Sequence, residues 1–175
     1  MKEQELLRSG IGRNLNFLGR AADMISISLS ATAECPYEYA IHISTEGEIF
    51  LDGKLLTGTK DVYEYIRPDT TSYDEKIAEF RKLERVFLLQ KISYDDQRCL
   101  HVQFSQGLEI HSLPTDPGDL SEMELWRIFF NWKAEDYLIA TGNGVFMESR
   151  EETQEELDRM RVIMQEARKK RAKKP

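Results

Sequence analysis

The stretch from Val86 to Trp132 constrains the fold more than any other part of the chain. It consists of short apolar runs that alternate with polar residues and are separated by turn signals at positions 94–97 and 105–107. Alternation with a period of two is typical of half-buried strands, and turns at this spacing join antiparallel neighbours. The stretch therefore predicts a meandering antiparallel sheet.

The apolar pattern also predicts how the last hairpin of this stretch pairs. Every second residue in 100–104 is apolar, and so is every second residue in 108–110. The two apolar faces match only across a three-residue loop with Phe104 opposite Leu108, because a slip of one residue would turn every side chain over. The same register predicts these neighbours on the outer face: His101 with His111, and Gln103 with Glu109.

Shorter patterns predict strands elsewhere. Asp52-Gly53 stands between two apolar triplets, which indicates a tight hairpin because a type I′ turn needs positive φ at both central residues. We expect roughly seven to ten strands in all. The further segments with strand-like alternation are 24–29, 37–44, 48–51, 54–57, 125–132, 137–141 and 145–148. The segment 125–132 also has the apolar spacing of a helix, so that alternative stays open for it.

Three segments have helical spacing. The first covers 3–22, although three glycines interrupt it; the second covers 72–83 and begins with a capping box of Ser72 and Glu75. The third begins at a second capping box, Ser149 with Glu152, and runs to a basic end. We therefore predict a single α+β domain over residues 1–149, followed by a C-terminal amphipathic helix over residues 150–175.

Charge is distributed unevenly along the chain. Its 24 Lys and Arg and 31 Asp and Glu give a net charge of −7. Residues 150–175 hold nine basic and six acidic residues, a balance of +3, so residues 1–149 carry −10. An acidic body repels phosphate backbones, which argues against nucleic-acid binding and favours a basic protein partner.

Several features indicate a cytoplasmic protein. The apolar runs are shorter than the roughly 20 residues that span a bilayer, and the N-terminus MKEQELLRSG is too polar for a secretory signal. Cys35 and Cys99 are far apart and outside any CxxC spacing, which is typical of free thiols. Neither a nucleophile elbow nor a phosphate-binding glycine loop is present, so we expect no cofactor.

Two sets of residues could carry chemistry or binding. His101 and His111 could hold a metal ion, with Glu109 or Cys99 as a further ligand. The alternative interpretation is a polar outer face that gains positive charge near pH 6. The acidic side chains around residues 116–124 lack the spacing of a calcium loop. We favour solvated faces and caps for acids of this kind, and the same side chains are the candidates for a partner-binding surface. Its members are Asp116, Asp119, Glu122 and Glu124.

The C-terminal helix leaves two questions open. Its narrow apolar stripe can pack on the domain or pair with a second copy in a short coiled coil, which would make a homodimer. The stripe consists of Leu157, Met160, Met164 and Ala167. The final RKKRAKK could bind nucleic acid, or it could be a solvated helix end, which is the interpretation that we favour.

Three segments resemble a group of small uncharacterised bacterial proteins. They are HISTEGEIFLDGKLLTGTKDVY from His42, LHVQFSQGLEIHSLP from Leu100 and ELWRIF from Glu124. The group shares an HI strand, a G-x-x-D-x-Y element, an F-x-x-G hairpin and a late W-R. This chain departs from it at 44–47, where the group often has Cys-Pro-Trp. The resemblance implies an α+β fold similar in character to bacterial immunity and accessory proteins, and it implies no catalytic residue.

Together these observations favour a non-enzymatic protein-binding module that presents an acidic surface to a basic partner, as an immunity protein does. Two alternatives stay open. One is a metal- or histidine-dependent enzyme centred on His101 and His111. The other is nucleic-acid binding through the basic tail.

Overall fold

The computed structural model describes residues 1–115 and 123–172, and it gives the side chains up to residue 166. The predicted α+β class is confirmed, with an N-terminal, a middle and a C-terminal helix. The helices are α1 (Glu3–Ser9), α2 (Ser72–Arg81) and α3 (Gln154–Ala172), and two 3₁₀ segments cover Thr59–Tyr63 and Ser105–Gly107. The described strands are β1 (Leu15–Ala21), β2 (Met24–Leu29), β3 (Tyr39–Ile43), β4 (Gly47–Leu51), β5 (Lys54–Gly58), β6 (Tyr65–Arg67), β7 (Thr70–Thr71), β8 (Leu89–Tyr94), β9 (Leu100–Phe104), β10 (Leu108–Ser112), β11 (Glu124–Phe130), β12 (Tyr137–Thr141) and β13 (Gly144–Glu148).

The strands divide into two main antiparallel sheets rather than one. The first has the order β1-β2-β3-β11-β12-β13, and the second has the order β5-β4-β10-β9-β8. The small pair β6-β7 stands apart. The alternation in the sequence could not show this division, because it specifies which face of a strand is apolar but not which strands share a sheet.

The apolar faces of the two sheets form one core. Ile25, Ile41 and Ile128 of the six-stranded sheet and Val102 and Ile110 of the five-stranded sheet are fully buried in the same cluster. Where the sheets meet, the rings of Tyr94 on β8 and Trp126 on β11 have centroids 5.5 Å apart. The other face of the five-stranded sheet carries the polar residues of β9 and β10, which leaves them available for a site.

The two predicted hairpins β4–β5 and β12–β13 are confirmed. Asp52 and Gly53 both have positive φ, at 52° and 74°, as the type I′ turn between β4 and β5 requires. The hairpin of β12 and β13 also forms at the predicted place, with Tyr137 opposite Glu148.

The predicted helix over 3–22 is wrong beyond Ser9, because the chain turns there and continues as β1. A Cβ on Gly10 would lie 2.8 Å from the ring of Tyr39, and Gly12 has φ of +80°. Leu7 is a buried residue of α1, and Leu18 is a buried residue of β1. The apparent helical stripe therefore combined residues of two different elements.

Both predicted capping boxes are displaced along the chain. In α2 the hydroxyl of Thr71 accepts from the backbone N–H of Asp74, and the carboxylate of Asp74 accepts from the N–H of Thr71. In α3 the same reciprocal pair consists of Thr153 and Glu156. Ser72 and Glu152 are therefore not the capping residues, since the structure uses an equivalent Thr-x-x-acid pattern nearby.

Among the described apolar residues of the stripe on α3, only the first is buried against the domain. Leu157 is buried, whereas Met160, Ile163 and Met164 are 40%, 63% and 46% exposed. The choice between packing on the domain and pairing with a second copy therefore stays open for the rest of the stripe. Among the described residues, no helix is both long and apolar enough to cross a membrane.

The Arg20–Asp74 ion pair, which ties β1 to α2, gives the first testable prediction. Arg20 donates to both carboxylate oxygens of Asp74, at 2.8 and 2.9 Å, and this interaction holds the pKa of Asp74 well below its usual range. Asp74→Asn should cost about 1–2 kcal/mol of unfolding free energy at pH 7, since both groups are partly exposed.

The pH dependence follows from the lowered pKa. The ion pair stabilises the fold fully at pH values above the unfolded-state pKa of Asp74, which is about 4. This stabilisation is lost as the pH falls toward the lower pKa that Asp74 has in the folded state. Urea unfolding at pH 7, 5 and 3 should show the difference between wild type and variant narrowing only at pH 3. Glu79→Gln, which removes an exposed partner of Lys82, is the control. A difference that stays constant at all three pH values would contradict the assignment.

Candidate functional site

The outer face of the five-stranded sheet contains a pocket of about 390 Å³, which we call the histidine pocket. It lies over β4, β9 and β10 and extends to the turn between β8 and β9. Leu113 and Pro114 contribute apolar surface next to these strands. The side chains important for its chemistry are Glu48, Phe50, Asp95, His101, Glu109 and His111.

Strand register brings the two histidines together. His111 on β10 pairs with His101 on β9 and, on its other side, with Glu48 on β4. Glu109 pairs with Gln103, as predicted, and with Phe50 on β4. The register depends on the three-residue turn 105–107, where Gln106 and Gly107 have positive φ. The prediction that the histidines lie opposite each other is therefore confirmed.

The imidazole rings form the centre of a chain of four side chains. The Nδ1 atoms of His101 and His111 are 3.1 Å apart, and the ring planes are nearly perpendicular, at 85°. The outer nitrogens each face a carboxylate, because Nε2 of His101 is 3.2 Å from Asp95 and Nε2 of His111 is 3.2 Å from Glu109. The order is thus Asp95–His101–His111–Glu109.

This geometry gives every ring nitrogen a hydrogen-bonding partner. A hydrogen on Nε2 of either ring can be donated to the carboxylate that this nitrogen faces, and a hydrogen on one Nδ1 can be donated to the other Nδ1. The contacts between the four side chains therefore fix the orientation of both rings.

Asp95 is itself held in place by its turn. Partial burial raises the pKa of Asp95, but hydrogen bonds from the backbone N–H groups of Cys99 and Gln97 and from His101 outweigh this, so the pKa lies below its usual range. The neighbouring Cys99 is buried, and burial together with Asp95 raises the pKa of its thiol. Cys99 is therefore a neutral thiol at pH 7 and a poor metal ligand.

The structure supports the two histidine ligands of the metal-binding hypothesis but not Glu109 as the third ligand. The structure brings His101 and His111 together, but it places Glu109 on the far nitrogen of His111 rather than beside both rings. Within residues 1–115 and 123–172, no three His, Cys, Asp or Glu side chains are placed to hold one ion. The carboxylates are therefore positioned to orient the rings.

The predicted partner-binding acids are described only in part. Asp116, Asp119 and Glu122 lie outside the described residues. Glu124, at the start of β11, accepts hydrogen bonds from Ser44 at 3.1 Å and Arg127 at 2.7 Å. These bonds tie its carboxylate to its own domain, so Glu124 is less free to contact a partner than the sequence suggests.

The third histidine is separate from the pocket. His42 lies on β3 of the six-stranded sheet, with its ring 5.0 Å from that of Phe129 in an edge-to-face contact. Burial lowers the pKa of His42, followed in effect by the nearby Arg127. A neutral histidine packed on an aromatic ring is a structural element of that sheet.

Of the six side chains named above for the chemistry of the pocket, sequence reasoning did not single out three. Asp95 lay within the turn signal at 94–97, and Glu48 and Phe50 lay within the hairpin strand 48–51. The signal for Asp95 was its position directly after β8, since Tyr94 pairs with Leu100 and the turn therefore ends beside His101. Glu48 and Phe50 required the pairing of β4 with β10, which joins strands separated by more than fifty residues.

Comparison of the chain with protein-family models, with curated proteins and with solved structures found no match. The resemblance to small bacterial proteins therefore stays a prediction.

Proposed function

We propose that this protein is a non-enzymatic, cytoplasmic protein-binding module, and that the histidine pocket receives a basic side chain of its partner. A basic toxin or nuclease, bound as an immunity protein binds its target, is the class of partner that fits. The observation that carries the proposal is the pocket's charge. Glu48, Asp95 and Glu109 bring three acidic side chains into the pocket, and no Lys or Arg is among the described residues that line it.

The shape and lining of the pocket suit a lysine or arginine side chain. Phe50 lies in contact with the site, with its ring centroid 5.6 Å from that of His111, and it is only partly buried. An aromatic ring beside carboxylates can pack against the aliphatic part of a basic side chain and attract its charge. Both interactions favour a cationic group over a neutral one.

Long-range charge supports the same partner class. Residues 1–149 carry −10, so the field around the domain attracts a basic protein before contact occurs. Such steering raises the association rate and makes it depend on salt. The pocket then supplies the specific contact, while the overall charge increases the frequency of encounters.

The test compares two variants with the same net charge. In the pocket variant Glu48→Gln, Asp95→Asn and Glu109→Gln are combined; in the control variant the changes are Glu64→Gln, Asp69→Asn and Glu79→Gln, at positions outside the pocket. Wild type and both variants are used to capture proteins from a bacterial lysate, and the retained protein is identified and purified. Its Kd is then measured by calorimetry at low and high salt.

We expect the retained protein to be basic and to bind the pocket variant at least about tenfold more weakly than wild type. The control variant should retain wild-type affinity within about threefold, because rim charges far from a contact contribute little. Equal weakening in both variants would mean that net charge alone acts. That outcome, or the recovery of no specific protein, would overturn the proposal.

A further inference from the structure

We infer that the facing Nδ1 atoms of His101 and His111 form a binding site for one divalent transition-metal ion. This site does not depend on the proposed partner, since it uses ring nitrogens rather than the rim carboxylate of Glu48. The ion would be bound by the lone pairs of the two Nδ1 atoms, and any hydrogen on these nitrogens would leave to solvent. Each ring would keep its Nε2–H.

The separation of the two nitrogens suits a single ion. Metal–imidazole bonds are about 2.0–2.1 Å long, which places two ligands about 2.9 Å apart at a 90° angle and about 3.3 Å apart at a tetrahedral angle. The Nδ1 atoms are 3.1 Å apart, between these values. At these bond lengths each lone pair must point about 40° away from the line that joins the two nitrogens, so both rings would have to rotate about their side-chain bonds to bind the ion.

The outer nitrogens have the partners that metal-binding histidines need. A ligating imidazole usually donates its other N–H to a carboxylate, which fixes its tautomer and makes it a stronger ligand. Asp95 occupies this place for His101, and Glu109 occupies it for His111. Finding the arrangement on both rings distinguishes this pair from two histidines that are merely neighbours on a sheet surface.

The surroundings indicate the class of metal. Imidazole nitrogens suit Cu²⁺, Ni²⁺ and Zn²⁺, whereas Mg²⁺ and Ca²⁺ prefer sets of oxygen ligands. The pocket opens to solvent, so water can complete the coordination. Because the protein supplies two ligands rather than the three usual in zinc enzymes, the affinity should be weaker than theirs and should be highest for Cu²⁺.

The experiment titrates the purified full chain with Cu²⁺, Ni²⁺, Zn²⁺ and Mg²⁺ by calorimetry, together with visible absorption for Cu²⁺. We expect one Cu²⁺ per chain, weaker binding of Ni²⁺ and Zn²⁺, and no heat with Mg²⁺. His101→Gln and His111→Gln should each lower the Cu²⁺ affinity at least tenfold. His42→Gln, which changes the one histidine outside the pocket, should leave the affinity unchanged.

Two further variants test whether the carboxylates orient the rings. Glu109→Ala should lower the affinity about tenfold or more, the range seen when such supporting groups are removed. Gln103→Ala, on the strand position opposite Glu109, is the matched control and should have no effect. Circular dichroism confirms that each variant is folded before titration.

The outcomes separate this inference from the proposed function. Absence of stoichiometric Cu²⁺ binding, or binding that survives in His101→Gln and His111→Gln, would overturn the metal site. Glu48→Gln should leave metal binding intact, while it contributes to the loss of partner binding. A protein that binds the metal but has no basic partner would therefore refute only the earlier proposal.

Discussion

Replacing Trp126 with alanine should lower the free energy of unfolding by about 3–5 kcal/mol, the range for deleting a fully buried large aromatic side chain. Trp126 has no exposed surface and lies on β11 between β3 and β12. Its ring packs against Tyr94, with centroids 5.5 Å apart, where the two sheets meet. Its removal opens a cavity in the core that the flanking strands cannot fill.

Trp126 also connects the core to the histidine pocket. Its indole N–H donates to the backbone oxygen of Arg98, at 2.7 Å, in the turn that carries Asp95. Trp126→Phe should therefore cost about 1–3 kcal/mol, because it keeps most of the ring but leaves that carbonyl without its donor. The phenylalanine variant should also loosen the turn and so weaken the orientation of His101 by Asp95.

Chemical unfolding in urea, followed by circular dichroism, measures these losses. Trp132→Ala is the control, since Trp132 is the other tryptophan and is only partly buried in a turn. It should cost about 1 kcal/mol, as expected for a half-buried side chain. An equal loss for both tryptophans would contradict a central role of Trp126 in joining the sheets.

The histidine pair shows how far the sequence alone can go. The opposition of His101 and His111 followed from local facts, namely a period of two and a three-residue turn within the thirteen residues of Leu100–Ser112. A shift of the register by one residue would expose Val102 and bury the polar face of the hairpin, so the apolar pattern is compatible with only one register. Local hairpins of this kind are predictable because their pairing and their turn are encoded together.

The remainder of the pocket depends on long-range pairing. Glu48 reaches His111 only because β4 inserts beside β10, and the hydrophobic pattern of β4 is compatible with several neighbours. The same limitation explains why the division into two sheets was not predicted. The error in 3–22 has a different cause, because a helix and a strand each contribute leucines to one core and their combined spacing imitates a single helical stripe.

Arg13, like Glu48, has a role in the structure that no local sequence pattern indicates. It lies just before β1, is 4% exposed, and contacts the ring of Phe130 through its guanidinium, 5.2 Å from the ring centroid. Its Nε donates to the carbonyl oxygen of Ser9, and its Nη1 donates to those of Ser30 and Tyr37, at 2.8, 3.1 and 2.8 Å. The side chain thus joins the end of α1 to the loop between β2 and β3.

Arg13→Met should lower the free energy of unfolding by about 3 kcal/mol or more. Methionine fills much of the volume but leaves three carbonyl oxygens without their donor, and hydrogen bonds from a charged group are worth about 1.5–3 kcal/mol each before relaxation. Arg13→Lys should give an intermediate loss, because its single nitrogen cannot reproduce the planar fork. Urea unfolding of all variants at one pH provides the comparison.

Arg85→Met is the matched control, since Arg85 is 40% exposed and pairs with Asp52 at 3.3 Å on the surface. It should cost less than about 1 kcal/mol, the usual limit for an exposed ion pair. If Arg13→Met lowered the free energy of unfolding no more than Arg85→Met, the result would contradict this role of Arg13. It would mean that water replaces the guanidinium as hydrogen-bond donor to the three carbonyl oxygens. If Arg13→Lys matched wild type, charge rather than geometry would account for its contribution.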